Sequence, residues 1–423
     1  VLDNARDKSW IVAAIFLVAV VLFGIRWSSG ILNKGPVFDE KYITVPILNI
    51  INDGWSVETA IDFEETKGPA MIWPYAYVGK IFGGTLNDLR LVSVWSSILA
   101  LLVLSWIALR SDVSKYGFLL VAIGWLLLPY NIVFSEIVMG EVSFLLLSLL
   151  AVMAFLWGVE KQGTALQRIA GPMLYCLAVM AALHSRIHVV ALTGAVCFTA
   201  FAILGIRSWP WWVASILAGL LRIPLWIRWD GLVSPEYQSL HGLGFRLESL
   251  SYLAAAMLPF VGVFVIEGWR VAKSKWFIVC SFLLGVSVVF VAMPDLFVPE
   301  SIDFAHHNDR FQGIVASVLL RCSNNAVVHQ YVLALFAGLG LAGLAGLWHC
   351  RGKAMHAASI TFWALLFGWM LYALTRGFVF DRFLLTWAFL LPIVYVRALP
   401  KFLLALQYVL LACIAMYLTA NWL

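Results

Sequence analysis

About thirteen stretches of this chain are apolar for long enough, or nearly long enough, to cross a bilayer as helices, a crossing that takes roughly 20 mostly apolar residues. They fall at 10–27, 91–109, 117–134, 142–159, 171–184, 187–206, 209–226, 249–267, 276–293, 329–349, 357–375, 383–397 and 402–421. Hydrocarbon offers peptide groups no water to bond, so each run must satisfy its own backbone as a helix. Composition agrees: 63% of the residues are hydrophobic and 12% are charged, where a soluble domain carries about a quarter charged. A soluble globular enzyme, a disordered chain and a nucleic-acid-binding module are excluded. The expected fold class is an all-α polytopic membrane protein of about thirteen transmembrane helices, shortest or most interrupted at 171–206 and 383–397.

Loop charges orient the runs. With the N-terminus inside, the cytoplasmic segments hold fourteen basic residues, Arg110, Lys161 and Arg351 among them, against five acidic ones. Fourteen basic and eighteen acidic residues remain for the other side. An excess of Lys and Arg marks short cytoplasmic loops. The first run lacks a small-residue cleavage site and reads as a retained span, not a signal peptide. Cytoplasmic connections are brief, whereas three external segments are long, at about 28–90, 228–248 and 294–328. With no repeat or flexible linker, the chain reads as a single domain over 1–423, its function on the external face. Residues 28–90 form the expected catalytic loop and 294–328 a substrate-facing loop.

The first external loop contains Pro36-Val37-Phe38-Asp39-Glu40-Lys41, then Glu64-Glu65-Thr66-Lys67-Gly68-Pro69, then the aromatic stretch 70–77 broken by Pro74. That stretch is too short to span and suits an interfacial helix, with Trp and Tyr at headgroup level. Asp39 and Glu40 read either as two solvated carboxylates or as part of a site. An adjacent Lys41, a second charged cluster and interfacial aromatics converge on the same loop.

The order of first span, Phe-Asp-Glu, Lys-Gly-Pro, apolar aromatic segment, Phe-Gly-Gly and next span resembles the C-type glycosyltransferase superfamily. The similarity is to the branch of protein O-mannosyltransferases and the lipid A aminoarabinose transferase. Lys67, Pro69 and Trp73 match that branch's Lys-Pro-Pro-Leu-Tyr-Tyr-Trp-like element, and Gly68 departs where the family usually has the first Pro. Specific matching covers about 36–145. The resemblance implies inverting transfer of a sugar from a polyprenyl-phosphate donor to a glycan, lipid or protein acceptor. It implies a multi-pass protein of a bacterial plasma membrane with an external site, or of the endoplasmic reticulum with a luminal one. Membrane lipids are the other expected partner.

Such a reaction needs a carboxylate within reach of the acceptor's proton and fixed cations aimed at the departing phosphate. By resemblance Asp39 is the base, Glu40 supports it or contacts the sugar, and Lys67 holds the phosphate. Glu141, at the start of the fourth span, matches a second family acid; an ordinary helix-start carboxylate beside the N-terminal dipole is the other reading. Arg186 interrupts an apolar stretch and reads either as a second phosphate ligand or as a side chain snorkelling to headgroups. Arg382 reads as a third phosphate ligand or as half of a local pair with Asp381. His306 and Arg310 belong to the substrate-facing loop. Adjacent histidines rarely serve one ion, and the six cysteines lie far apart without a CxxC pair, so neither metal nor other cofactor is expected. Two other functions compete, a transporter or lipid flippase and a lipid-linked glycan ligase or polymerase. The chain lacks the paired halves usual in transporters, and its polar residues concentrate on one side.

Overall fold

The computed structural model describes residues 5–37, 39–63, 67–160, 163–235, 238, 243–294, 296, 313–352, 355–375 and 379–423. These are helical nearly throughout, and the extended pairing among them is a lone bridge between Leu243 and Thr375. The chain is an all-α, multi-pass membrane protein. Among the described residues, seven helices are long and apolar enough to span, one of them a 41-residue stretch, and a bent pair over 247–271 adds an eighth.

The chain divides into two compact units, residues 1–238 with 408–423, and residues 239–407. The first begins with α1 (Ala5–Ser28) and the loop helices α2 (Glu40–Asp53), α3 (Val57–Ala60) and α4 (Pro69–Phe82). Gly83 and Gly84 then take left-handed backbone, with φ of 105° and 71°. They end α4, and a capping box between Thr85 and Asp88 starts α5 (Leu86–Arg110). At 25 residues and 1.5 Å per residue, α5 is about 37 Å long and crosses the apolar layer with length to spare.

The expected span 117–134 is shorter than the sequence suggests. It is a helix α6 (Lys115–Leu127) followed by a single turn α7 (Asn131–Phe134). Pro129 is the cause: it forces Leu128 into extended backbone, with ψ at 129°, and cannot donate to the ladder. The unit continues through α8 (Glu141–Gly158), α9 (Ala165–Ser185), α10 (Val189–Leu204), α11 (Trp209–Leu220) and α12 (Ile223–Trp229). The end of the last helix (Lys401–Trp422) closes it, where Tyr408 Oη donates to the Leu120 carbonyl at 2.7 Å.

The loop helices lie as the aromatic pattern requires. On α4, Trp73, Tyr77, Ile81 and Phe82 face outward while Met71, Ile72, Tyr75 and Ala76 are buried. On α2, Ile43, Ile47 and Ile50 turn inward at helical spacing. Only α4 among these was anticipated from a local aromatic signal.

The second unit gathers around the 25-residue helix Ala326–Cys350. Its Gly340, Gly343 and Gly346 let the carbonyls of Ala254, Val261 and Phe264 approach so closely that an added Cβ would lie 1.9, 2.4 and 2.0 Å from them. Small residues that admit neighbouring backbones are how helices pack in lipid. The expected span 249–267 is bent by 74° between Val261 and Val263. The run 383–397 is broken into short pieces ending in Leu391–Ala398, with Pro392 in the first turn of that helix. Of the loop 294–328, residues 314–322 and 326–328 are helical, and 295 and 297–312 lie outside the described residues.

Candidate functional site

The site is built on the first unit, and its frame is a buried ion pair. Glu40, in the first turn of α2, and Arg90, at the start of the second turn of α5, are both fully buried. Arg90 grips the carboxylate with two bonds, Nε to Oε1 at 3.0 Å and Nη2 to Oε2 at 2.6 Å. Its remaining N–H groups donate to the carbonyls of Ile31, Lys34 and Gly35 at 2.5, 3.1 and 2.9 Å. Glu40 also accepts from the Val37 amide at 2.8 Å and the Val138 amide at 2.7 Å. One carboxylate thus ties the loop after α1 to α5 and to the connection before α8. Glu40 accepts from four donors while fully buried. Arg90 was missed in the sequence, although a lone Arg near the start of an apolar span is the signal that intramembrane charge provides.

Asp39 precedes Glu40 at the N-cap of α2 and points elsewhere. Its Oδ2 lies 3.6 Å from Lys67 Nζ, with the Asp39 side chain 17% exposed and that of Lys67 6%. The candidate base and the candidate phosphate ligand are therefore neighbours.

Gly68 explains its own departure from the aligned Pro. Its N–H donates to the Ser185 carbonyl at 2.8 Å, a bond that Pro cannot make. A Cβ at Gly68 would stand 1.9 Å from the His184 carbonyl oxygen and 3.4 Å from Arg222 Nη1. The backbone beside Lys67 thus lies directly on the end of α9, where Arg186 is the C-cap residue. Arg186 Nη2 donates to Glu141 Oε1 at 2.5 Å, so two residues singled out separately form one buried pair. Glu141 Oε2 and Arg186 Nε are buried without a hydrogen-bond partner.

Arg222, at the N-cap of α12, is the second cation missed in the sequence. It is 2% exposed, and its Nε and Nη1 have no hydrogen-bond partner. Its guanidinium lies 5.9 Å from the ring centroids of both Trp226 and Trp229. The argument that singled out Arg186, a charge inside an apolar run, applies equally to Arg222.

Behind the frame, Arg26 Nη1 lies 3.6 Å from Glu136 Oε2, both residues buried. Neither Glu136 oxygen has a hydrogen-bond partner. Burial outweighs the attraction of Arg26 and pushes the Glu136 carboxyl up to about 8.

Arg382 belongs to the second unit, buried with its guanidinium 4.6 Å from the Phe380 ring. Its neighbour Asp381 accepts from the Ile314 amide at 2.6 Å. His306 and Arg310 lie outside the described residues. Among the described residues no group of three or more His, Cys, Asp or Glu side chains could hold a metal ion.

No protein-family profile matches the chain, and neither does any curated protein. Two solved structures resemble it over nearly its whole length. ArnT from Cupriavidus metallidurans in the apo state aligns at 15% identity, covering 99% of this chain and 78% of that one, with a TM-score of 0.46. The same protein bound to undecaprenyl phosphate aligns at 14% identity, covering 97% and 77%, with a TM-score of 0.44. Likeness at this level assigns no function.

Proposed function

We propose that this chain is an inverting membrane glycosyltransferase that moves a sugar from a polyprenyl-phosphate donor to an acceptor hydroxyl or amide. Both active-site arms belong to the first unit, and the reaction takes place at the external face. The observation that carries the reading is the meeting of Asp39 and Lys67 at 3.6 Å, beside a backbone that lies on His184 and Ser185, next in sequence to Arg186, and near Arg222. General-base and phosphate-stabilising groups are thus held in one place.

In this reading Asp39 takes the acceptor's proton as the acceptor oxygen or nitrogen attacks the anomeric carbon. The bond from that carbon to the phosphate oxygen breaks, and its electron pair leaves with the phosphate. Lys67 and Arg222 neutralise the charge that grows there. Arg186, half engaged by Glu141, has an N–H to spare for the same purpose. Donors fixed in a water-poor site need no reorganisation as the charge develops. Arg90 and Glu40 hold the turn that presents Asp39. Glu141 is assigned to the acceptor side.

Asp39→Asn preserves shape and removes the proton acceptor. Turnover falls by about 10²-fold or more, while affinity for undecaprenyl phosphate stays near that of the wild type. Near-normal turnover in Asp39→Asn overturns the assignment of the base.

A further inference from the structure

Between α3 and α4 the first external loop reaches across to α12, 166 residues away in sequence. Arg228 grips Asp62 with two bonds, Nε to Oδ1 at 2.5 Å and Nη2 to Oδ2. Next to it the Trp229 indole N–H donates to the Ile61 carbonyl at 3.3 Å. Gln238 Nε2 closes the other side, donating to the carbonyls of Trp229 and Asp230 at 2.7 and 3.0 Å. Trp229 is 2% exposed. Its ring is also one of the two against which the Arg222 guanidinium rests.

Helix α12 has only 7 residues and continues α11 through Leu221 and Arg222, both in right-handed helical backbone. Its near end is thus held by α11 and its far end by the first loop. We propose that Asp62 is a positioning residue for the donor phosphate: through Arg228 and Trp229 it moors α12 and so keeps Arg222 aimed at the phosphate beside Gly68. Exposed ion pairs contribute little as a rule, the exception being a bidentate Arg–carboxylate geometry, which this pair has. The Trp229 bond to the same stretch of loop adds a second point of attachment. The inference rests on the donor-phosphate reading of Arg222 given above.

The test uses undecaprenyl phosphate as the probe, its binding to the intact protein followed by native mass spectrometry. Hydrogen–deuterium exchange over residues 223–230 is measured in parallel. Asp62→Asn and Trp229→Phe, which keeps an aromatic side chain and removes the N–H, each speed exchange of α12. Each weakens binding about two- to fivefold, and Arg222→Gln weakens it about tenfold or more. In an Arg222→Gln background the further loss from Asp62→Asn disappears, because the arm it positions is gone. A purely structural Asp62 gives the same loss in both backgrounds and overturns the proposal, as does faster exchange with unchanged affinity in Asp62→Asn. If α12 exchange responds to Asp62→Asn but Arg222→Gln binds as the wild type does, the phosphate reading of Arg222 is what fails.

Discussion

Adjacent carboxylates in one turn are expected to fail in different ways when each loses its charge. Glu40→Gln is the informative change. The native carboxylate accepts four bonds, two from Arg90 and one each from the Val37 and Val138 amides. The Gln side chain has one oxygen, which accepts at most two of them. Its NH₂ group then faces two N–H donors, and the Arg90 guanidinium loses its counter-charge while fully buried. Two lost bonds to a charged group amount to about 3–6 kcal/mol, in line with the 3–5 kcal/mol typical of breaking a buried ion pair from one side. At roughly 2 °C per kcal/mol for a unit of this size, Tm falls by about 6–12 °C. Thermal unfolding in detergent, read beside single-turnover transfer, separates this from Asp39→Asn, which loses turnover with a smaller fall in Tm, since one partly exposed contact to Lys67 is weakened. A Glu40→Gln protein that keeps its Tm within about 2 °C and loses turnover as Asp39→Asn does would show that Glu40 meets substrate and that the frame is misread.

Lys67→Ala weakens undecaprenyl phosphate about ten- to a hundredfold and lowers turnover further, with Lys67→Arg retaining part of both; unchanged binding and turnover in Lys67→Ala exclude it from the phosphate site. Gly68→Ala drives a Cβ to 1.9 Å from the His184 carbonyl and costs about 1–3 kcal/mol, seen as a lower Tm with weaker donor binding; an unaltered Tm refutes that contact. Glu136 titrates at about 8 in the fold against an ordinary 4.5, so between those values the folded protein keeps a proton that the unfolded chain releases. Wild-type stability therefore declines as pH rises through that window and levels off above it. Glu136→Gln abolishes the decline, matching the wild type near pH 4.5 and exceeding its Tm by a margin that grows up to about pH 8, and a parallel pH slope in both proteins contradicts the burial argument.

The helices were legible because lipid forces one solution on an apolar run. Each of the thirteen runs contains helix, and the departures fell where Pro129 and Pro392 cut a run that hydropathy alone reads as continuous and where 249–267 bends by 74°. Asp39 and Lys67 were legible because their motif carries them within one loop, and they do meet. The pairing of Glu141 with Arg186 was not, since two residues 45 positions apart leave no mark of each other in sequence. Arg90 and Arg222 were visible as charges in apolar surroundings, but only their partners in space distinguish a brace from a ligand. Gly68 looked like a defect in a motif and is instead the donor of a bond to Ser185.

The Glu40 clamp also sets a timetable for biogenesis. Its partners arrive late: Arg90 follows Glu40 by 50 residues and Val138 by 98. At the usual 5–20 residues per second of synthesis, roughly 5–20 s separate Glu40 from its last donor. Through that interval the loop has left the membrane with a carboxylate that only later spans neutralise. The turn bearing Asp39 takes its final form when the segment before the fourth span is in place, so a ribosome stalled short of residue 138 leaves a membrane-inserted chain without an assembled site.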